Sequence, residues 1–190
     1  MIAWLGDSVT RGTSYGGVTV TDTFAYKVST ANGYAPADII NAGVNSDTSS
    51  GMLARLNTDV IALTPSVCVL ECGLNDWQDG VAVSSYRSNV SSIFLALKSA
   101  SIKPVGLSKM ERGSTADFAN YQPYLQAFEN ECAVQGVNCV DLYREECASY
   151  LYLSNTAFYA NYVDAVHLTV AGHQFVTDLC ARAKFSGWFV

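Results

Sequence analysis

Five short apolar runs, separated by longer amphipathic stretches, constrain the fold of this chain more than any other feature. The runs are MIAWL (1–5), ADIINAG (37–43), SVCVLECG (66–73), IKPVGLS (102–108) and VNCVDLY (137–143). They are rich in Val, Ile, Leu and Cys with little polar alternation, which suits strands covered on both faces. Between them the spacing predicts helices over about 22–32, 49–63, 84–100 and 116–134, with a last one over about 169–186. In the third of these, Tyr86, Val90, Ile93, Phe94 and Leu97 recur on one helical face. Such alternation, with right-handed crossovers, predicts an α/β fold: a three-layer α/β/α sandwich around a five-stranded parallel sheet. With 190 residues, 49% hydrophobic and 15% charged, one domain spanning 1–190 is expected.

The formal charge of −6 argues against a nucleic-acid partner, which needs clustered Lys and Arg. It also disfavours a strongly polyanionic substrate, unless Arg112 or Arg144 builds a local patch. No apolar run approaches the roughly 20 residues of a membrane span, and no basic segment leads into an apolar one. A soluble chain is therefore expected, and an opening directly on a core strand also fits one domain of a longer protein. Six cysteines in a chain of this size do not form a small-domain disulfide framework. Cys68 and Cys72 sit roughly 13 Å apart along one strand, too far to bridge. Among Cys132, Cys139 and Cys147 the sequence selects no pair. Without a CxxC, and with two histidines, a zinc site is not expected. The apolar segment FSGWFV (185–190) is expected to dock on a neighbouring domain or a second copy of the chain.

In a parallel sheet, active residues belong at the carboxyl ends of the strands. Ser8, in GDSVT, follows the first strand; NAGVNSDTS (41–49) ends the second and CGLNDWQDG (72–80) the third. Alone, Ser8 is as good a turn or cap residue as a nucleophile. The sharper signal is YVDAVHLTVAGHQF (162–175), where Asp164 and His167 stand three apart just before the last helix. On a turn, that spacing lets the carboxylate reach the imidazole Nδ1–H and fix the tautomer.

Together these segments resemble the SGNH (GDSL-type) hydrolase family, in order and across nearly the whole chain. GDSVT (6–10) matches the nucleophile block, Gly43 within NAGVNS the second, GLND (73–76) the third and DAVH (164–167) the DxxH block. The resemblance implies a flavodoxin-like fold and a serine esterase that needs no metal or cofactor. It makes Ser8 the nucleophile, His167 the general base and Asp164 the group that orients it. The implied oxyanion hole is the backbone N–H of Ser8, the backbone N–H of Gly43 and the side-chain amide of Asn75. Val9-Thr10 replaces the Leu-Ser of the lipase-like branch, and Leu168-Thr169 replaces the frequent Pro-Asn; both leave the catalytic pair intact. The GDSxT form is closest in style to the family's carbohydrate esterases.

Asp7 and Asp76 are expected to be structural, His173 to serve helix packing, and Cys72 to lack any neighbour that would activate it. Trp77, Gln78 and Asp79 follow the third block and are expected on the rim of the site, with Trp77 and Tyr162 as substrate contacts. Tyr15, Phe118, Tyr121, Tyr124, Phe158 and Tyr159 crowd other loops or helix starts. Aromatic faces beside amides and carboxylates suit sugar rings. The expectation is therefore removal of a small acyl group, acetyl above all, from a carbohydrate, with a polysaccharide substrate placing the protein outside the cell or on its surface. A lysophospholipase- or thioesterase-like acyl hydrolase would need an apolar groove, to which Val18, Val20 and Phe24 could contribute. A sugar-binding adhesin domain with incidental hydrolysis is the alternative from another class.

Overall fold

The computed structural model describes residues 1–108, 118–142, 161–164 and 166–182. Arg112, Arg144, Cys147, Phe158, Tyr159, the Phe118 side chain and the 185–190 segment lie outside the described residues. Five strands form the sheet: β1 (Ile2–Gly6), β2 (Ile39–Gly43), β3 (Val67–Leu70), β4 (Lys103–Leu107) and β5 (Asn138–Val140). Their order is β2-β1-β3-β4-β5 and every neighbouring pair is parallel. This is the flavodoxin-like order, in which the chain runs outward in both directions from β1 and leaves a crevice at its carboxyl end. Register brings Gly6 beside Gly43, and Leu5 beside both Ala42 and Leu70.

The lack of polar alternation in the strands has a direct cause. Consecutive β1 residues point to opposite faces, and both faces are covered. Ala3 and Leu5 join Cys68, Leu70, Phe94, Leu97 and Phe128 in one core. Ile2 and Trp4 join Val67, Val69, Phe24, Val28, Val176 and Leu179 in the other. The first core lies under helices α3 (Ser49–Asp59), α5 (Val83–Ser99) and α6 (Phe118–Gln135), for which α1 (Ser8–Arg11) and α4 (Leu74–Gln78) precede α3 and α5 in the chain. The second lies under α2 (Phe24–Ala31) and α7 (Val170–Arg182). The Trp4 indole N–H donates to Ser29 Oγ at 2.8 Å, so the largest ring in this core leaves no polar atom unpaired.

The helical stretch predicted over 49–63 divides: α3 stops at Asp59 and a 3-10 turn, Ile61–Leu63, follows. The break falls at Val60, whose φ of −130° and ψ of −62° leave the helical path, and the 3-10 turn ends at Thr64, at φ +50°, just before Pro65. The run predicted as strand over 66–73 leaves the sheet at Leu70, and Gly73, at φ +122°, turns it into α4. Among the described residues no helix is long and apolar enough to cross a membrane. The described cysteines, Cys68 and Cys72 included, are free thiols.

Candidate active site

The carboxyl ends of β1, β2 and β3 meet the 161–169 turn at a cleft of about 350 Å³. Ser8, Tyr15, Ser46, Leu74, Asn75, Gln78, Asp164, Val166 and His167 line it. Ser8 opens α1 directly after the first strand. Asp7 caps that helix, its Oδ1 accepting the Val9 N–H at 2.9 Å, which fixes the first turn and the serine within it. Thr10, on the same short helix, donates to the buried Glu71 Oε2 at 2.8 Å and ties α1 to the end of β3.

From the other end of the sequence, Asp164 organises the turn that carries the imidazole. Its Oδ1 accepts the backbone N–H groups of Val166 (2.7 Å) and His167 (2.8 Å). Its Oδ2 lies 2.7 Å from His167 Nδ1, and His167 Nε2 lies 3.0 Å from Ser8 Oγ. With the carboxylate on Nδ1, that nitrogen carries the proton and Nε2 accepts from the serine hydroxyl. Partial burial raises the Asp164 carboxyl, but the bonds from the His167 side chain, the two backbone N–H groups and the nearby imidazole outweigh it and hold the group below the usual carboxylate range. Residues 159 positions apart thus meet in one hydrogen-bonded chain.

The oxyanion residues are arranged differently from expectation. Gly43 does not line the cleft, and its N–H donates to Asn41 Oδ1 at 3.0 Å. Its lack of a side chain serves another purpose: a Cβ there would stand 2.3 Å from Arg11 N and 2.6 Å from Arg11 Cα. Gly43 therefore lets the end of β2 pass against the α1 backbone. The residue of this loop that reaches the cleft is Ser46, in the left-handed region at φ +58°. Asn75 is on the wall as expected, but both amide protons have acceptors: Asp47 O at 2.8 Å and Asp7 Oδ2 at 3.2 Å. Asp7 thus holds both the nucleophile's helix and the asparagine. Asp47 is held in turn by Arg55, whose guanidinium also reaches Asp59 and Gly6 O.

Two expected substrate contacts are placed elsewhere. Trp77 turns from the cleft, is half-buried against the first core and lies 6.0 Å from the Tyr121 ring. On α4, Asn75 and Gln78 stand three apart and share the cleft side, whereas Trp77, two residues from Asn75, does not line the cleft. Tyr162 is buried in the second core, and its backbone pairs with Leu168 across the turn. Tyr121 and Tyr124 are core residues as well. Tyr15 faces the site, its ring stacked on His167 with centroids 3.4 Å apart and planes 17° from parallel.

Neighbouring polar groups behave as scaffolding. Asp76 is fully buried and accepts from the Ser49 N–H (2.9 Å) and hydroxyl (2.5 Å), capping α3 from α4. Burial raises its carboxyl against the opposing Ser49 bonds. Burial pushes the Cys72 thiol well above its ordinary range, with Asp76 adding to the shift, so it is no nucleophile at neutral pH. His173 is buried, accepts the Phe24 N–H on Nδ1 at 3.2 Å and is pushed down to about 4 by burial. Among the described residues no group of three or more His, Cys, Asp or Glu is placed to hold a metal ion. A larger groove of about 940 Å³ between α5 and α6, bounded by Ser84, Arg87, Ser88 and Glu131, holds no nucleophile–base pair.

A parallel sheet of this order, with a serine, an imidazole and a carboxylate joined at its switch point, defines an SGNH-type esterase. The GDSL-like lipase/acylhydrolase family model matches residues 4–175, and the chain belongs to that family. It is a carboxylic ester hydrolase. Solved structures with the same fold include an acetyl xylan esterase (TM-score 0.80, 18% identity, covering 96% of this chain and 98% of that one). A lipase/acylhydrolase from Enterococcus faecalis aligns with TM-score 0.78 and 21% identity, covering 98% and 95%. An acetylxylan esterase from Geobacillus stearothermophilus gives TM-score 0.77 and 19% identity, covering 96% and 92%. Comparison with curated protein sequences gives no match.

Proposed function

We propose that the protein removes small acyl groups, acetyl above all, from a carbohydrate by way of an acyl-enzyme. The observation that carries this reading is the Ser8–His167–Asp164 chain opening on a small and largely polar cleft. His167 Nε2 takes the Ser8 proton as Oγ bonds to the ester carbonyl carbon, while Asp164 stabilises the imidazolium. The tetrahedral intermediate collapses, and the sugar hydroxyl leaves with the proton from His167. Water, deprotonated by the same nitrogen, then cleaves the acyl-enzyme and releases the carboxylic acid.

The negative oxygen needs donors already in place. Ser8 stands at the first helical position, whose N–H has no intrahelical acceptor. Asn75 offers the proton now given to Asp7 over the longer of its two bonds. Ser46 takes the place expected of Gly43 as the donor from the second strand's loop.

The acyl side favours a short group. Of the residues that could contribute to a long-chain groove, Val18 and Phe24 are buried and Val20 is exposed away from the cleft, whose aliphatic lining consists of Leu74 and Val166. The acetylxylan esterases that share the fold supply the direction for the alcohol side. The test is acetate release from a panel of acetylated polysaccharides, with Ser8→Ala as control, beside acetyl and octanoyl p-nitrophenyl esters. Acetate release lost in Ser8→Ala is expected; preference for the octanoyl ester refutes the small-acyl reading. A Ser8→Ala variant that binds polysaccharide as wild type, with no wild-type acetate release, points to an adhesin.

A further inference from the structure

Asp164 grips His167 only at the edge of its ring, from an exposed turn. The bonds at Nδ1 and Nε2 both lie in the plane of the ring and leave the imidazole free to turn about the line that joins them. The face of the ring is covered by Tyr15, nearly parallel at 3.4 Å between centroids. We infer that Tyr15 is a positioning residue for the reaction, a flat wall that holds the His167 imidazole in the plane from which Nε2 meets Ser8. The inference rests on the Ser8–His167 mechanism proposed above.

Two features show that this wall is itself held. Ser14, the residue before Tyr15, exchanges hydrogen bonds with the Asn45 side chain in the β2–α3 loop, at 3.3 and 3.5 Å. Gly16, the residue after it, sits at φ +60°, where a Cβ would stand 2.7 Å from Val163 Cγ2 on the turn that carries Asp164. The loop is thus in contact with the acid–base turn on one side and with the second strand's loop on the other. The 12–18 segment closes against Val18, which is buried, and the Val18 N–H bonds to Tyr15 O at 3.2 Å.

The chemistry of the pair suits the role. An aromatic face carries negative quadrupole density, so a phenol ring over an imidazole favours the cation formed when Ser8 gives up its proton. It also keeps water off that face while charge separates. Neither effect needs the phenolic hydroxyl. The ring is required; the oxygen is not.

The test compares Tyr15→Ala and Tyr15→Phe in two assays: steady-state hydrolysis of p-nitrophenyl acetate and the rate at which a fluorophosphonate labels Ser8. Stacked pairs of this kind predict that Tyr15→Ala lowers kcat about 3- to 10-fold. KM is expected to stay within about twofold, because the loss falls on the transition state. Labelling of Ser8, which needs the same base but a different leaving group, is expected to slow by the same factor. Tyr15→Phe is expected to restore both rates. Wild-type kcat and labelling in Tyr15→Ala, a loss confined to KM, or a Tyr15→Phe loss as large as that of Tyr15→Ala would each overturn the role. Wild-type protein that reacts no faster than Ser8→Ala would instead remove the Ser8 mechanism, and the role of Tyr15 with it.

Discussion

His173 is buried in the second core at 1% exposure, with Nδ1 turned to the Phe24 N–H at the start of α2. Its ring also stacks on Phe24, with centroids 5.6 Å apart. Protonating Nδ1 would set two N–H groups against each other inside a closed core, and burial holds the imidazole at about 4, below its ordinary 6.5. A base whose folded pKa lies below its unfolded one contributes stability above the unfolded value, lost as pH falls toward the folded value. The window is therefore from pH 6.5 down to about 4. Across pH 7 to 4.5 these two values imply a loss of about 2 kcal/mol from this group. Asp76 works in the opposite sense, because its carboxyl is raised by burial, and the stability that the lowered Asp164 carboxyl contributes is lost only below the ordinary carboxylate range. A difference measurement removes both. Urea unfolding of wild type and His173→Asn, whose Oδ1 replaces the acceptor for Phe24, is to be run from pH 7 to 4.5. Wild type is expected to lose about 2 kcal/mol more than the variant over that range. Equal losses refute the reasoning, as does a His173 C2–H resonance, identified by its absence from the variant, that titrates near 6.5 in folded wild type.

Asp164→Asn keeps acceptors for the Val166 and His167 N–H groups but turns a donor toward Nδ1, so Nε2 would carry the proton and no longer accept from Ser8. Its kcat on p-nitrophenyl acetate is expected to fall on the order of 10³–10⁴-fold with the melting temperature nearly unchanged. Asn75→Ala is expected to cost on the order of 10²–10³ in kcat, with KM little altered, in the same assay. Asp7→Asn cannot accept from both Val9 and Asn75; urea unfolding is expected to show a loss of about 1–3 kcal/mol, together with lower kcat. Arg55→Met frees Asp47, whose carbonyl holds Asn75, so a drop in kcat without any cleft residue being changed is expected from steady-state kinetics.

The layers and the strand order's consequences were legible because they rest on long patterns. Tyr86, Val90, Ile93, Phe94 and Leu97 are all buried on one side of α5, and β1 lost its alternation because Ile2 to Leu5 are buried on both faces. The Asp164–His167 pair was legible because its chemistry is local to one turn and needs only a partner. The short helices α1 and α4 were not, since four or five residues carry no period. That omission had a cost at the site. Read as a loop, 74–80 puts Trp77 on the rim with Gln78; wound as a helix, it sends Trp77 to the core and leaves Gln78 on the cleft.

The proposed exchange of Gly43 for Ser46 as an oxyanion donor has a similar origin. Glycine attracts attention in a loop because it permits close approach, and at Gly43 the approach is real, though to Arg11 rather than to a substrate. A backbone N–H is useful to an oxyanion only if it points into the cleft, and direction depends on φ and ψ, which residue identity restricts weakly outside Gly and Pro. Ser46 has an ordinary side chain and an uncommon conformation, so no composition rule singles it out. What holds this part of the loop is tertiary: Asp47, next in the chain, is fixed by Arg55 and gives its carbonyl to Asn75. Ser46 lines the same cleft as Asn75, where the proposed reaction needs a second donor to the same oxygen.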